Sequence, residues 1–139
     1  MKSINYQLRT AYKSAIESAT GKNVYYPVAP ESETGTCYIT LNQVGSTDVS
    51  TKSSADTKTQ IMVQIHTWAQ AANAGKVADD TATQVYQAIF LTTQSNVSVT
   101  GAQVVSTKMV SDTVDELTGL DNRVFITRRI MFEHNILHN

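Results

Sequence analysis

The segment Lys58–Trp68 limits the fold more than any other, because its side chains alternate in character along the stretch KTQIMVQIHTW. A β-strand points successive side chains to opposite faces, so the pattern gives one face with an aliphatic centre. The aliphatic face holds Ile61, Val63 and Ile65, and the other holds Met62, Gln64, His66 and Trp68. Such a strand is stable in a sheet that buries one face, so the rest of the chain has to supply partner strands and a cover.

Two segments with helical periodicity can supply the cover. Apolar residues recur every three or four positions in Ser3–Thr20 and again in Val77–Thr93, which predicts an amphipathic helix in each. Gly21 is a stop signal after the first helix. Asp79 and Asp80 fall in the first turn of the second, where carboxylates stabilise the exposed N–H groups. We therefore expect two helices.

Four further segments are rich in β-branched and aromatic residues and predict strands: Asn23–Tyr26, Cys37–Val44, Val97–Val110 and Asn122–Ile136. The remaining stretches predict a long polar loop and two connections: Gly45–Thr57, Ala69–Lys76 and Ser111–Asp121. The order of elements is then α-β-β-β-α-β-β. We expect an α+β fold in which a mostly antiparallel β-sheet carries two α-helices packed on one face, and a single domain over residues 1–139.

The charge balance argues against one class of function. The chain has 11 basic and 12 acidic residues, and only 17% of its residues are charged, whereas nucleic-acid-binding domains usually present a basic face. Low charge favours a surface that is partly covered by protein partners. No apolar run has the length of a signal peptide or a membrane span, so we expect a protein made in the cytoplasm without membrane contact. A single cysteine, Cys37, excludes an intrachain disulfide.

No segment has the pattern of a catalytic, cofactor or metal site. His134 and His138 have the spacing of zinc ligands on a helix, but on a strand they would lie about 13 Å apart. We interpret them as part of a frayed end and expect no metal site. Gly75-Lys76 precedes a helix but lacks the other residues of a phosphate-binding loop. No base accompanies the acidic pairs, and no G-x-S-x-G occurs. We expect no enzyme activity and no cofactor.

Two adjacent arginines in the last predicted strand, NRVFITRRIMFEHNI, are candidate interface residues. With strict alternation Arg128 lies on an aliphatic face, whereas Arg129 lies on the opposite face with Glu133. A lone buried guanidinium is too costly, so Arg128 needs a partner, a strand end or a bulge that turns it outward. The sequence does not identify the partner. Arg129 can pair with Glu133 or with a cross-strand acid. Both faces of this strand carry large apolar side chains, so we expect helices on one face and another subunit on the other. His66 and Trp68 either cap the core or join that subunit contact.

The order of motifs along the chain also resembles that of a known protein family. An N-terminal amphipathic helix is followed by VYYPVAP, by the strand CYITLNQV, by a polar loop and by the central strand TQIMVQIHTWA. The helix GKVADDTATQVYQAI and an arginine-containing apolar strand complete the chain. Over nearly its whole length this layout resembles the tail terminator or tail completion proteins of long-tailed bacteriophages, which join tail to head.

The resemblance implies a homohexameric ring on the head-proximal end of the tail tube. Its expected partners are further copies of the chain, the tail tube protein and the head-tail connector or stopper protein, and DNA only passes through the ring. A net charge of −1 is compatible with such a lumen. The long polar loop and its flank would face the lumen or dock on a neighbouring ring; the candidate residues are Ser46, Asp48, Lys52, Asp56 and Lys58.

Two alternatives remain open on the sequence. One is another head-tail connector component or a minor tail protein. The other is a small-molecule-binding or enzymatic α+β domain with its pocket between the helices and Trp68.

Overall fold

The computed structural model describes residues 5–48, 50, 56–91, 94–95, 99, 102–118 and 124–138. Its elements in chain order are α1 (Asn5–Thr20), β1 (Val24–Tyr25), β2 (Cys37–Asp48), β3 (Asp56–Trp68), α2 (Ala74–Ile89), β4 (Phe90–Leu91), β5 (Gln94–Ser95), β6 (Ala102–Thr118) and β7 (Val124–His138). The short strands β4 and β5 pair with each other, and the other five form one sheet.

The five-stranded sheet has the order β1-β2-β3-β7-β6. Only β1 and β2 run parallel, and every other neighbouring pair is antiparallel. Alternate residues of the three central strands pack against both helices, and this face is called the helix face below. The core residues of the helices are Leu8, Tyr12, Ile16, Ala82, Val85 and Ile89, and those of the central strands are Ile39, Leu41, Ile61, Val63, Ile65, Ile130, Phe132 and Ile136. The predicted α+β fold, with a mostly antiparallel sheet and two helices on one face, is confirmed.

The predicted loop Gly45–Thr57 is wrong at both ends, because the strands continue into it. Asp48 pairs with Thr57, so the ladder of β2 and β3 includes residues 45–48 at one end of the segment and Thr57 at the other. The hydroxyls of Ser46 and Thr59 hydrogen-bond across this ladder at 3.1 Å. Residues at the end of a sheet need few apolar side chains, so the polar composition that indicates a loop is equally compatible with two exposed strand ends.

Two further boundaries differ from the sequence prediction. The predicted connection Ser111–Asp121 is mostly strand, since β6 continues to Thr118 beside β7. Its Ser and Asp residues resemble a turn, but here they face solvent or bind arginines on the adjacent strand. Helix α2 begins at Ala74, because the carbonyl of Asn73 already accepts a hydrogen bond from the amide of Val77 at 2.9 Å. The helix ends at Ile89, before the predicted end at Thr93.

Both edges of the sheet are partly open. Strand β1 pairs only with Ile39 and Thr40, so the outer side of β2 from Leu41 to Thr47 has no paired strand within the described residues. Strand β6 forms the other edge. Among the described residues, no helix combines the length and the hydropathy needed to cross a bilayer.

Candidate interaction surface

The sheet face opposite the helices, called the open face below, carries most of the predicted interface residues. Pairing between strands places His66 beside Thr127, Gln64 beside Arg129 and Gln60 beside Glu133 on this face. Most of its side chains are half-buried and polar. The predicted separation of Ile61, Val63 and Ile65 from Met62, Gln64 and His66 is confirmed by their burial. A flat polar face without a helical cover is available for contact with a protein partner.

His66 is fixed within the open face by its neighbours. Its Nε2 atom lies 2.9 Å from the Thr40 hydroxyl, and its Nδ1 atom lies 3.1 Å from the Thr127 hydroxyl. The ring stacks on Tyr38 with 4.9 Å between centroids. Burial and the charge of Arg129 lower the pKa of His66 to about 4. His66 is therefore a neutral side chain whose two nitrogens both have partners, and it stiffens the sheet.

Trp68 follows His66 and lies at the end of the same strand, paired with Phe125. Phe125 packs edge-on against Tyr38, which identifies this aromatic cluster as part of the open face. The helices lie on the other side of the sheet. This position argues against the alternative pocket between the helices and Trp68, because the sheet lies between them.

Arg129 and Glu133 each have a nearby partner on the open face. Arg129 forms an ion pair with Asp115 of the neighbouring strand β6. Glu133 accepts a hydrogen bond from the Gln60 side chain at 3.3 Å and lies opposite Lys108 in the ladder. Cations and acids therefore alternate across the face, which has no basic stripe of the kind that holds a nucleic-acid backbone.

The five predicted loop residues do not form one loop. Ser46 and Asp48 belong to β2, Asp56 and Lys58 belong to β3, and Lys52 lies outside the described residues. Ser46 and Lys58 line a shallow polar depression of about 170 Å³ together with Glu133, one of the predicted interface residues. The paired ends of β2 and β3 around Ser46 and Lys58 are thus continuous with the open face around Glu133.

Arg128 lies on the helix face, and its partners belong to the same chain. Its Nε and Nη2 atoms donate to the two carboxylate oxygens of Asp112 at 2.9 and 2.8 Å. Its Nη1 atom donates to Asp79 of α2 at 2.9 Å, and Nη2 also reaches the hydroxyl of Tyr86 at 3.1 Å. The hydrogen bond to Asp112 is the largest cause that raises the pKa of Arg128, and it outweighs the opposing effect of burial. The partner that the sequence could not identify is therefore an acid on β6, supported by α2.

His134 is a core residue that the sequence analysis missed. It is completely buried, which contradicts the predicted frayed end. The hydroxyl of Tyr12 in α1 hydrogen-bonds to its Nε2 atom, and Thr107 lies 2.9 Å from Nδ1. The signal in the sequence was the alternation itself, because His134 is in phase with Ile130, Phe132 and Ile136.

The burial of His134 makes stability depend on pH. Burial lowers its pKa from 6.5 to about 4, so the unfolded chain binds a proton more readily. The neutral ring stabilises the folded state fully above pH 6.5, and this stabilisation is lost as the pH falls towards 4. Burial also raises the pKa of Tyr12 well above its ordinary value, so this hydroxyl stays protonated.

A basic and aromatic cleft beside the sheet edge was also not predicted. It has a volume of about 360 Å³ and lies between the first half of α1, the end of β1 and Leu41 of β2. Its other lining residues are Tyr6, Arg9, Thr10, Lys13, Val24, Tyr25 and Tyr26. The Arg9 guanidinium lies 4.1 Å from the centre of the Tyr26 ring. Neither Arg9 nor Lys13 has an ion pair with another described residue.

The described residues contain no group of three or more potential metal ligands. Cys37 is half-buried, and its sulfur lies 3.5 Å from the Thr67 hydroxyl.

Comparison with solved structures first identifies the fold. The fold matches a chain from the virion of a native gene transfer agent (GTA) particle, with a TM-score of 0.74, and the match covers 99% of each chain. The two sequences are 16% identical, so the likeness concerns the fold. None of the curated proteins matches the sequence.

Comparison with protein families then gives the particular assignment. The sequence pattern of the tail completion protein gp17 family matches residues 7–132, which extend from α1 into β7. The chain belongs to this family, as the order of its motifs predicted. It is a tail-assembly protein of a phage-type particle, located in the virion tail.

Proposed function

We propose that the protein forms a homohexameric ring on the head-proximal end of the tail tube, stops its polymerisation and joins the tail to the head connector. The observation that carries the proposal is the family match over residues 7–132, which includes both helices and nearly all of the sheet. The partners are the tail tube protein on one side of the ring and the connector on the other, and DNA passes through the lumen without a dedicated binding site.

The arrangement of polar groups supports a structural rather than a catalytic role. His66, Arg128 and His134 have hydrogen-bond partners within the chain, so their polar groups are used to hold strands and helices together. The open face combines balanced charge with half-buried polar side chains, which is typical of surfaces that make specific but not strongly electrostatic contacts.

The proposal is tested with purified tail tube protein polymerised with and without this chain. Negative-stain microscopy should show tubes that end in a ring and that are shorter than tubes grown alone. Light scattering before and after mixing shows whether the ring forms in solution or only on the tube. Tubes of unchanged length without an end cap would contradict the proposal, and binding to the connector alone would favour another head-tail component.

A pair of matched variants tests whether the open face contacts the tail tube. Arg129→Glu changes a charge on the open face, and Lys76→Glu makes the same change on α2, where the Lys76 side chain is 75% exposed. We expect the first to reduce capping and the second to leave it unchanged. Equal capping by both variants would show that this part of the open face is not in the contact.

A further inference from the structure

We propose that the free outer edge of β6 in one copy pairs antiparallel with the free outer edge of β2 in the next, so that the sheets join around the ring. The inference rests on the ring proposed above and names the surfaces that close it. The relevant segments are Leu41–Thr47 of β2 and the strand β6, which contacts β5 but has no strand paired to its outer side within the described residues.

The directions of the two edge strands fit this arrangement. From β2 through β3 and β7 to β6, each step is antiparallel, so β2 and β6 run in opposite directions. Copies related by rotation about a ring axis keep the same orientation relative to that axis. The β6 strand of one copy therefore meets the β2 strand of the next in antiparallel orientation. Two different surfaces joined in this way give a ring when the rotation between copies closes, and they do not stop at a dimer.

Exposed apolar side chains are concentrated on these edges. Strand β6 exposes Val105, Met109, Val110 and Val114, by 60%, 42%, 43% and 60%, and β2 exposes Val44 by 47%. Lysines and prolines are two of the features that keep an edge strand from pairing with another chain. Strand β6 has a single lysine, Lys108, and no proline. Its outer edge is thus well suited to accept another strand.

Val110 on β6 and Val44 on β2 lie at the same level along the strand direction, as the row of paired residues between them shows. Met109 pairs with Phe132, which pairs with Ile61, which pairs with Gln43. The ladder is irregular immediately after Met109 and immediately after Gln43, where Val110 and Val44 are inserted. A neighbouring copy at the same height would bring these two valines close together and remove both from water.

The cleft beside Leu41 gives the β2 edge a charge that complements β6. Arg9 and Lys13 line the cleft, and no acidic residue does. The second half of β6, from Met109 to Thr118, contains three acids, Asp112, Asp115 and Glu116, and no cation. Arg128 and Arg129 on β7 compensate Asp112 and Asp115, so one formal negative charge of this segment remains for a neighbouring copy. Asp112 lies in the same row of the sheet as Leu41, through Ile130 and Val63, so the acid-containing segment of β6 begins at about the level of the cleft.

Disulfide trapping tests the pairing directly. The chain carries Cys37→Ser and Val44→Cys, together with Val105→Cys, Val110→Cys or Val114→Cys in three separate variants. Within one copy, three strand spacings separate β2 from β6, about 14 Å, which exceeds the roughly 7 Å limit between the Cα atoms of a disulfide. Any bond between the introduced cysteines therefore joins two copies.

We expect at least one of the three variants to give, on oxidation, a ladder of species that ends at the closed ring on a non-reducing gel. The matched control replaces Val44→Cys by Val28→Cys, which puts a thiol at an equally apolar residue that is 72% exposed but lies outside the β2 edge. It should give no ladder. The trapping is performed on rings identified by light scattering and microscopy.

Three results would overturn the inference. Rings that form without a ladder in any of the three variants would show that other surfaces close them, and the proposed function would stand. Trapping by Val110→Cys alone, stopping at a dimer, would show that two β6 strands pair with each other. A chain that stays monomeric even with tail tubes would contradict the ring itself.

Discussion

The adjacent arginines of β7 allow a matched test of the buried ion-pair cluster. Arg128→Ala removes both donors to Asp112 from a site where the Arg128 and Asp112 side chains are only 19% and 17% exposed. Loss of one partner of a buried pair costs about 3 kcal/mol or more, because the remaining charge stays desolvated. The Tyr86 hydroxyl still donates to Asp112, so we expect the free energy of unfolding to fall by about 3 kcal/mol, the lower end of that range.

Arg129→Ala is the control one residue away. Arg129 is 26% exposed and its partner Asp115 is 57% exposed, so water replaces most of the lost interaction. The expected loss is at most about 1 kcal/mol. With a slope of about 2 kcal/mol per molar urea, the unfolding midpoint should fall by about 1.5 M for Arg128→Ala and by less than about 0.5 M for Arg129→Ala.

The measurement is urea unfolding at a protein concentration where light scattering shows monomers. It can be followed by the fluorescence of Trp68, the single tryptophan, and by circular dichroism. Equal midpoints for the two variants would refute the argument that Arg128 is a buried structural cation. The second variant Arg128→Met combined with Asp112→Asn should recover part of the loss, because neither side chain then carries an uncompensated charge.

The remaining predictions concern the buried histidine, its partner and the hairpin. Lowering the pH from 7 to 5 should reduce the free energy of unfolding by about 2 kcal/mol through His134, because the pKa of this residue is about 4 in the folded chain and 6.5 in the unfolded chain. Urea unfolding of His134→Gln at the two pH values should show a pH dependence that is smaller by this amount. Tyr12→Phe should lower the free energy of unfolding by about 1–3 kcal/mol, since a buried ring nitrogen loses its partner, and a change within error in thermal unfolding would contradict this. Shortening the connection between Asp48 and Asp56, with the paired strand ends retained, should leave the melting temperature unchanged and weaken binding to tail tubes in a sedimentation assay; loss of folding would show that the connection is structural.

Much of the architecture could be predicted because it follows from local periodicity. The alternation around Ile61, Val63 and Ile65 identified the central strand and its buried face, and the spacing of Leu8, Tyr12 and Ile16 identified the first helix. Boundaries were less predictable. The segments around Ser46 and Ser111 have the composition of loops, and only pairing with adjacent strands keeps them extended.

The sequence by itself determined the class of fold, the two faces of the central strand and the family, because these depend on patterns repeated along the chain. It also showed that Arg128 needed a partner. Which group supplies that partner was decided by the tertiary structure, since Asp112 and Asp79 are distant in sequence and meet only when β6 and α2 pack beside β7. The same holds for the Tyr12–His134 hydrogen bond and for the free edges of β2 and β6. Side-chain periodicity is a local property, whereas ion-pair partners and open edges depend on the order in which strands assemble.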